Sequence, residues 1–467
     1  MKLSKRSKTV ISIIFLVGVG LQFTTPEIKR PPVSGTLSAP EDVAQIYKRA
    51  CYDCHSNETK LRWYDKIAPA SWLVARDVKE GRARFNFSEW DKLSAAEQQT
   101  ILWETVNELI AGKMPLQIYG ALHPHARISK DDIEVLKRYV NSLPNGKPAD
   151  AESVTAAVNA AGEELRNFRN KSAGSDIIPV ALNGVSYVTG YRKWQVITTP
   201  NRFDNYTIRV LYGNDVAIKA IKENKVDRFP NGATVVKVVW DKIEDKDGNV
   251  RPGTLNSIQI MTKDDDRFRQ TGGWGFALFS GIKLIPFGKT VLFETTCYHC
   301  HNELARETGY VFDVPQKNSD LAAADGANNG AADHLLYGLP ETREMFDAGN
   351  LEVIAPSMNK GQGTMSILYG NSAARQSTMD SSKRHRPGEL YTLATWNQVN
   401  DLHWYGSNIN GRLLSVETVS VSSASDGGLS VHYNLVKGSE PKDVSGHKIH
   451  RQDRIRFILD QQPAVFP

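Results

Sequence analysis

The spacing of hydrophobic and polar positions changes along the chain, and each change predicts a different kind of element. The basic start MKLSKRSK is followed by TVISIIFLVGVGLQF, about 15 mostly apolar positions. That is the layout of an export signal, and it is shorter than the roughly 20 residues a membrane span needs. Residues 1–24 are therefore expected to be a signal peptide or an N-terminal membrane anchor, with 9–23 as the anchoring stretch. After the extended tether TTPEIKRPPVSGTL the period becomes helical. Ser38-Ala-Pro-Glu41, Ser94-Ala-Ala-Glu97 and Ser129-Lys-Asp-Asp132 have the spacing of capping boxes. Ile101, Leu102, Val106, Leu109 and Ile110 share helical spacing, as do Ile133, Val135, Leu136 and Val140. The pattern predicts a small all-α domain over 38–144, then a helical linker over 145–181.

From residue 182 the character switches to β-branched and aromatic runs broken by Gly, Asn and Asp. ALNGVSYVTGYRKWQVI, TIRVLYGND, GATVVKVVW, SIQIM and GWGFALF predict a mainly antiparallel-β domain over 182–315. Residues 316–345, with LAAADGANNGAAD, read as a second linker. Over 346–467 an earlier pattern returns. Gln195 to Asp215 aligns without a gap on Glu352 to Ser372, and the two share the tetrad Leu-Tyr-Gly-Asn. Gly232 to Trp240 matches Gly388 to Trp396, and Gly253-x-Leu-x-Ser257 matches Gly411-x-Leu-x-Ser415. The third region is thus expected to be a copy of the second, giving an α+β multidomain chain.

Composition alters this picture little. The chain has 467 residues, 40% of them hydrophobic, and a net charge of +5 to which Lys2, Lys5, Arg6 and Lys8 contribute. No basic block occurs away from the N-terminus, which argues against a nucleic-acid partner. The cysteines alter it a great deal. There are only 4, all in Cys51-Tyr-Asp-Cys54-His55 and Cys297-Tyr-His-Cys300-His301. C-x-x-C-H is the attachment signature of c-type haem, in which two thiols bind the porphyrin vinyls and the His binds iron. A structural zinc site built from both pairs is the rival. Against it stand the trailing His of each pair and their placement in regions of different fold class. Two covalently bound c-type haems are expected, with His55 and His301 as iron ligands, which also fits export.

The sixth iron position differs between the two. In the first domain Met114, His123 and His125 are candidates, and Met114 in Gly-Lys-Met-Pro is preferred, a buried core methionine being the alternative. Between 182 and 315 the only histidines are His299 and His301 and the only methionine is Met261, so the second iron lacks an obvious sixth ligand. An open position suits small-molecule binding; a filled one suits electron transfer. On the strand Gly232–Trp240 both faces are apolar except at Lys237. Either Lys237 is buried, with a lowered pKa and a nucleophilic amine, or its head snorkels to water.

These residues resemble known families. CYDCHSNETKLRWYDKIAPASWLVARDVKEGR with KMPLQIYGALHPHARIS is similar to a bacterial haem-binding domain of exported proteins, over about residues 30–144. Residues 182–315 resemble cytochrome P-460 in W-x-V-I, TIRVLY, G-x-x-x-x-K, the Lys263–Phe268 segment and CxxCH followed by VF. The resemblance implies a mostly β fold, one c-type haem with an open distal site, and oxidation of hydroxylamine or binding of nitric oxide. It places the lysine that cross-links to the porphyrin at Lys237 and the family's strand arginine at Arg209. The family's distal glutamate falls on Gln259, which cannot accept a proton at neutral pH. The implied protein is an exported dihaem cytochrome working in the periplasm. It would act on a small-molecule ligand and exchange electrons with a periplasmic or membrane redox partner.

Overall fold

A computed structural model describes residues 5–143, 178–291, 293–315, 343–380, 384–401, 403–438 and 449–467, with isolated helical positions between 152 and 167. The expected linkers 145–181 and 316–345 fall almost wholly outside the described residues. The chain divides into two compact units, Met1–Leu143 and Pro144–Pro467.

The first unit is helical: α1 (Lys5–Gln22), α2 (Glu41–Ala50), α3 (Tyr52–His55), α4 (Ala70–Arg84), α5 (Ala95–Ile110), α6 (Gln117–Leu122) and α7 (Lys130–Ser142). Two of the three expected capping boxes form. Ser94 caps α5 with Glu97, and Ser129 caps α7 with Asp132, each with its reciprocal bond. The box at Ser38 does not form, because α2 begins at Glu41 behind Pro40 with no side-chain cap. A residue before proline is driven to extended backbone, so Ala39 cannot enter the first turn. Tyr47, Phe87, Trp90, Trp103, Val106, Leu136 and Val140 form the buried core. Phe87 is its hub, with Tyr52 stacked on it at 4.9 Å and Trp90 at 5.3 Å. Among the described residues no helix, α1 included, is long and apolar enough to cross a membrane.

The second unit is built on one 12-stranded sheet. Its first half contains β1 (Gln195–Thr198), β2 (Asn201–Arg202), β3 (Thr207–Gly213), α8 (Asp215–Lys222), β4 (Thr234–Glu244), β5 (Asn249–Lys263), β6 (Trp274–Ser280), β7 (Ile285–Pro286) and α9 (Phe293–Leu304). Its second half contains β8 (Glu352–Asn359), β9 (Thr364–Gly370), α10 (Ser372–Met379), β10 (Leu390–Asn400), β11 (Ser407–Ser423), β12 (Leu429–Gly438) and α11 (Arg451–Leu459). Antiparallel pairing runs β2–β3–β4–β5–β8–β9–β10–β11 and returns to β2, so the ring closes into a barrel. The halves meet at two short seams. Ser407 and Asn408 pair with Arg202 and Asn201 at one, and Asn249 and Val250 with Asn359 and Met358 at the other. Closure leaves no long unpaired edge among these strands. Ile208, Val210, Tyr212, Val236, Val238 and Trp240 from the first half join Met365, Ile367, Tyr369, Ala394 and Trp396 from the second in one buried cluster.

The shared Leu-Tyr-Gly-Asn tetrad has the same structural use in both halves. Asn214 accepts the Ala217 N–H at 3.0 Å to cap α8, and Asn371 accepts the Ala374 N–H at 2.9 Å to cap α10. Each also donates from its amide to the carbonyl of Gly232 or Gly388 at 2.8 Å. Gly213 and Gly370 sit against isoleucine tips, a Cβ there lying 3.0 Å from Ile218 and 2.5 Å from Ile354.

Candidate haem sites

In the first unit Cys51 ends α2, and the turn through Tyr52–His55 closes with the Cys54 and His55 N–H groups donating to the Cys51 carbonyl. Helix α4 packs on this turn through Gly81, where a Cβ would sit 2.9 Å from the Cys54 carbonyl oxygen. The thiols of Cys51 and Cys54 are unbridged. Burial is the largest cause raising both to about 12, followed by Cys54 for Cys51 and by Asp77 for Cys54. Thiols so hard to ionise are not the activated thiolates of a reactive-cysteine site. Burial lowers His55 to about 4, against backbone groups of Phe85 and Gly81, so the ring is neutral and suited to binding iron. Its Nδ1 is buried without a hydrogen bond, and the ring stacks on Phe85 at 4.2 Å.

The three candidate sixth ligands are placed differently. His123 is 2% exposed, with Nδ1 3.0 Å from the Tyr119 carbonyl and Nε2 3.3 Å from Asp65. Both its ring nitrogens are therefore engaged. His125 is exposed, 3.5 Å from Arg62. Met114 is half-buried in the loop after α5, its N–H bonded to the Glu108 carbonyl. Tyr119, stacked on His123 at 4.1 Å and bonded to Asp53 within the CxxCH turn at 2.6 Å, carries no motif that would single it out in the sequence.

In the second unit α9 carries Cys297 and Cys300 one turn apart, again unbridged, with His301 following. His301 Nδ1 lies 2.6 Å from the Tyr310 carbonyl. A carbonyl can only accept, so Nδ1 bears the proton and Nε2 keeps its lone pair free, the tautomer an iron-binding histidine requires. Burial, with Lys237 second, lowers His301 to about 4. Phe276 at 5.1 Å and Phe312 at 4.8 Å flank the ring.

The face of the sheet beneath α9 holds the other expected residues. Lys237 on β4 pairs across to Gln259 on β5 and to Leu211 on β3, two positions from Arg209. Lys237 and Gln259 are half-buried, as are Cys297, Cys300 and His301. Burial is the first cause lowering Lys237 to about 7, and the cations Arg209 and Arg202 add to it. Lys237 is thus half-buried with a desolvated amine, between the two readings the sequence left open. Arg209 is 8% exposed, bonds to Thr207 through Nε at 3.1 Å, and is lowered to about 9, chiefly by burial. Gln259 has one weak contact, from its amide to Ser257 at 3.4 Å. Met261 packs in the apolar cluster with Phe276 and Trp274. Unforeseen in the sequence were Arg202, Asp313 and Asp401, whose charges act on Arg209, and Trp404, over whose ring Arg202 lies at 3.9 Å. Asp401 and Trp404 come from the β10–β11 turn of the other half.

Residues 15–142 match the haem-binding domain family and residues 188–313 match cytochrome P460. The chain carries a haem-binding domain and a cytochrome P460 domain. It is a haem cytochrome. No curated protein matches it closely. In the cytochrome P460 domain the donor set fits haem, with Cys297 and Cys300 that would hold the vinyls and His301 Nε2 free for iron; the haem-binding domain has the same residue types in Cys51, Cys54 and His55. The second half of the barrel offers no such set. The register position of Lys237 opposite Gln259 is occupied there by Leu393 opposite Glu417. Glu417 is fully buried, accepting from Arg454 Nε at 2.9 Å, from Arg454 Nη2 and from Tyr433 at 2.7 Å. Helix α11 thus packs beside β10 and β11 where α9 covers the first half.

Proposed function

We propose that this protein is an exported dihaem c-type cytochrome whose P460 haem takes a small nitrogen species, hydroxylamine or nitric oxide, and whose N-terminal haem relays electrons. The observation that carries the reading is the setting of Lys237, a half-buried lysine whose amine is lowered to about 7, chiefly by desolvation, and which lies close enough to Cys300 and His301 to act on them by charge. When bound there, haem supplies an iron that can take up a small ligand and exchange electrons. The residues around it supply orientation and charge. His301, fixed by Tyr310, presents one nitrogen; Lys237, about half relieved of its proton at neutral pH and more so above it, is the amine that would tether the porphyrin edge; Arg209 contributes a desolvated positive charge. In the N-terminal domain Met114 is the preferred sixth ligand, because His123 already uses both its nitrogens. The second half of the barrel is a haem-free copy. The protein works in the periplasm, cleaved from or held by residues 9–23, and passes electrons to a periplasmic or membrane partner.

The second reading is a gas-binding or electron-carrying cytochrome without turnover, and Gln259 favours it because an amide cannot take up a proton at neutral pH. Protein matured in an export-competent host is the test. Intact mass should show two haem additions and pyridine haemochrome c-type bands, and a red-shifted Soret band in the reduced spectrum would report the Lys237 tether. Retained zinc without haem would overturn the proposal; two ordinary c-type signals would favour the second reading.

A further inference from the structure

Helix α1 is joined to the rest of the first unit at its last turn. The Ala68 N–H donates to Gln22 Oε1 at 2.9 Å, and the Trp72 indole N–H donates to the Thr24 carbonyl at 3.1 Å. The Gln22 amide also donates to the Gly18 carbonyl at 2.9 Å, which ties the clamp to the helix itself. The haem-binding-domain match begins at residue 15, inside α1, so these bonds lie within the matched domain. Beside each clamped residue stands an apolar side chain in water. Phe23, between Gln22 and Thr24, is 87% exposed; Ile67, before Ala68, is 44% exposed; Leu73, after Trp72, is 46% exposed.

Two features say what covers them. Helix α1 exposes Ile11, Ile13, Leu16, Val17 and Val19, and Lys5, Arg6 and Lys8 stand at its other end. An apolar helix preceded by cations is the layout of a segment that enters or lies on a bilayer. In either case Gln22, which closes the apolar run before Thr24-Thr25-Pro26-Glu27, lies at the boundary between lipid and water. Ala68 and Trp72 are bonded to that boundary, so Ile67 and Leu73 are held at its level. The charges agree. Between residues 60 and 67 the exposed charged groups are Lys60, Arg62 and Lys66, whereas the one acid, Asp65, is buried 3.3 Å from His123 Nε2. Cations beside apolar side chains suit an anionic headgroup layer. A soluble redox partner would require no such alignment with α1.

We propose that α1 stays on the mature protein and that Phe23, Ile67 and Leu73, with Lys60, Arg62 and Lys66, form a face seated on an anionic lipid surface. The proposal deepens the reading in which residues 9–23 hold the protein at a membrane, and rests on it. The clamps tie the start of α4 to the anchor, so the haem-binding domain keeps one orientation on the bilayer instead of swinging on a tether.

Photocrosslinking to lipid tests this. Full-length holoprotein is reconstituted in vesicles of phosphatidylcholine and phosphatidylglycerol that carry a phospholipid with a diazirine near its headgroup. After irradiation, lipid adducts are mapped on tryptic peptides by mass. Peptide 9–29 contains Phe23, and peptide 67–76 contains both Ile67 and Leu73. Both should carry adducts, with peptide 67–76 labelled at least about tenfold more than peptide 131–137 of α7. Labelling of 9–29 with 67–76 no higher than 131–137 would overturn the proposal and leave the anchor standing, the face then being open to a soluble partner. If 9–29 carries no adduct, the anchor reading itself fails and this proposal with it.

Discussion

Replacing Arg454 with Met should destabilise the barrel unit severely. Glu417 is fully buried on β11, and its oxygens accept both arms of the Arg454 guanidinium and the Tyr433 hydroxyl. Arg454 is itself only 12% exposed, so the pair is shielded from water and salt. Met fills a similar volume but removes both charged donors, leaving one phenol to stabilise a buried carboxylate. Removing one partner of a buried ion pair costs about 3–5 kcal/mol. For a unit this large that corresponds to a fall of roughly 6–15 °C in Tm. Thermal unfolding of the holoprotein, followed by the far-ultraviolet signal of the sheet, measures it. The double variant Arg454→Met/Glu417→Gln should recover most of the loss, because a neutral amide keeps a bond to Tyr433 without an unpaired charge. A single-variant loss below about 1 kcal/mol, or a double variant no more stable than the single, would refute the reasoning.

Three further outcomes are expected. Lys237→Leu should abolish any haem–lysine peptide in mass mapping while leaving both thioethers of α9, and an unmodified Lys237 in wild type would exclude the tether. Gly309→Ala should lower the yield of haem at Cys297 and Cys300, measured against the N-terminal haem by peptide mass. Gly309 has φ +59 and a Cβ would meet the Val226 carbonyl at 2.3 Å, displacing the neighbouring Tyr310 carbonyl that fixes His301. Lys242 has a fully buried side chain and burial lowers it from 10.5 to about 8. Its folded-state pKa lies below the unfolded one, so the protonated amine costs stability in full below about pH 8, and the cost vanishes as pH rises to 10.5. Lys242→Met should therefore gain up to about 3 kcal/mol at neutral pH and nothing at pH 10.5, read from denaturant midpoints, since Glu244 keeps Lys360 at 2.6 Å.

Local features were legible in the sequence and distant pairings were not. The caps at Ser94 and Ser129 depend on residues three apart, and the thiols and histidines of each CxxCH are adjacent. The box at Ser38 failed for an equally local reason, the proline two residues on. Alternation marked Lys237 as an outlier on an apolar strand, but nothing local said that Arg202, whose strand has two residues, would seal against Ser407. Asp401 comes to act on Arg209 only after the ring closes, and it stands in no motif. Arg454 was equally silent, because its partner Glu417 lies on a different element with no periodic relation to α11.

The ring also changes what the chain can tolerate as it diverges. If two identical subunits built such a barrel, every substitution would appear on both sides, and a residue suited to cradling a cofactor would have to serve equally well as packing. Here equivalent strand positions are encoded separately, so Leu393 can be oil where Lys237 is an amine, and Glu417 can anchor a covering helix where Gln259 lines an opening. One half is free to specialise in chemistry while the other hardens into scaffold, and the seams at β2–β11 and β5–β8 ensure that neither can be inherited without the other.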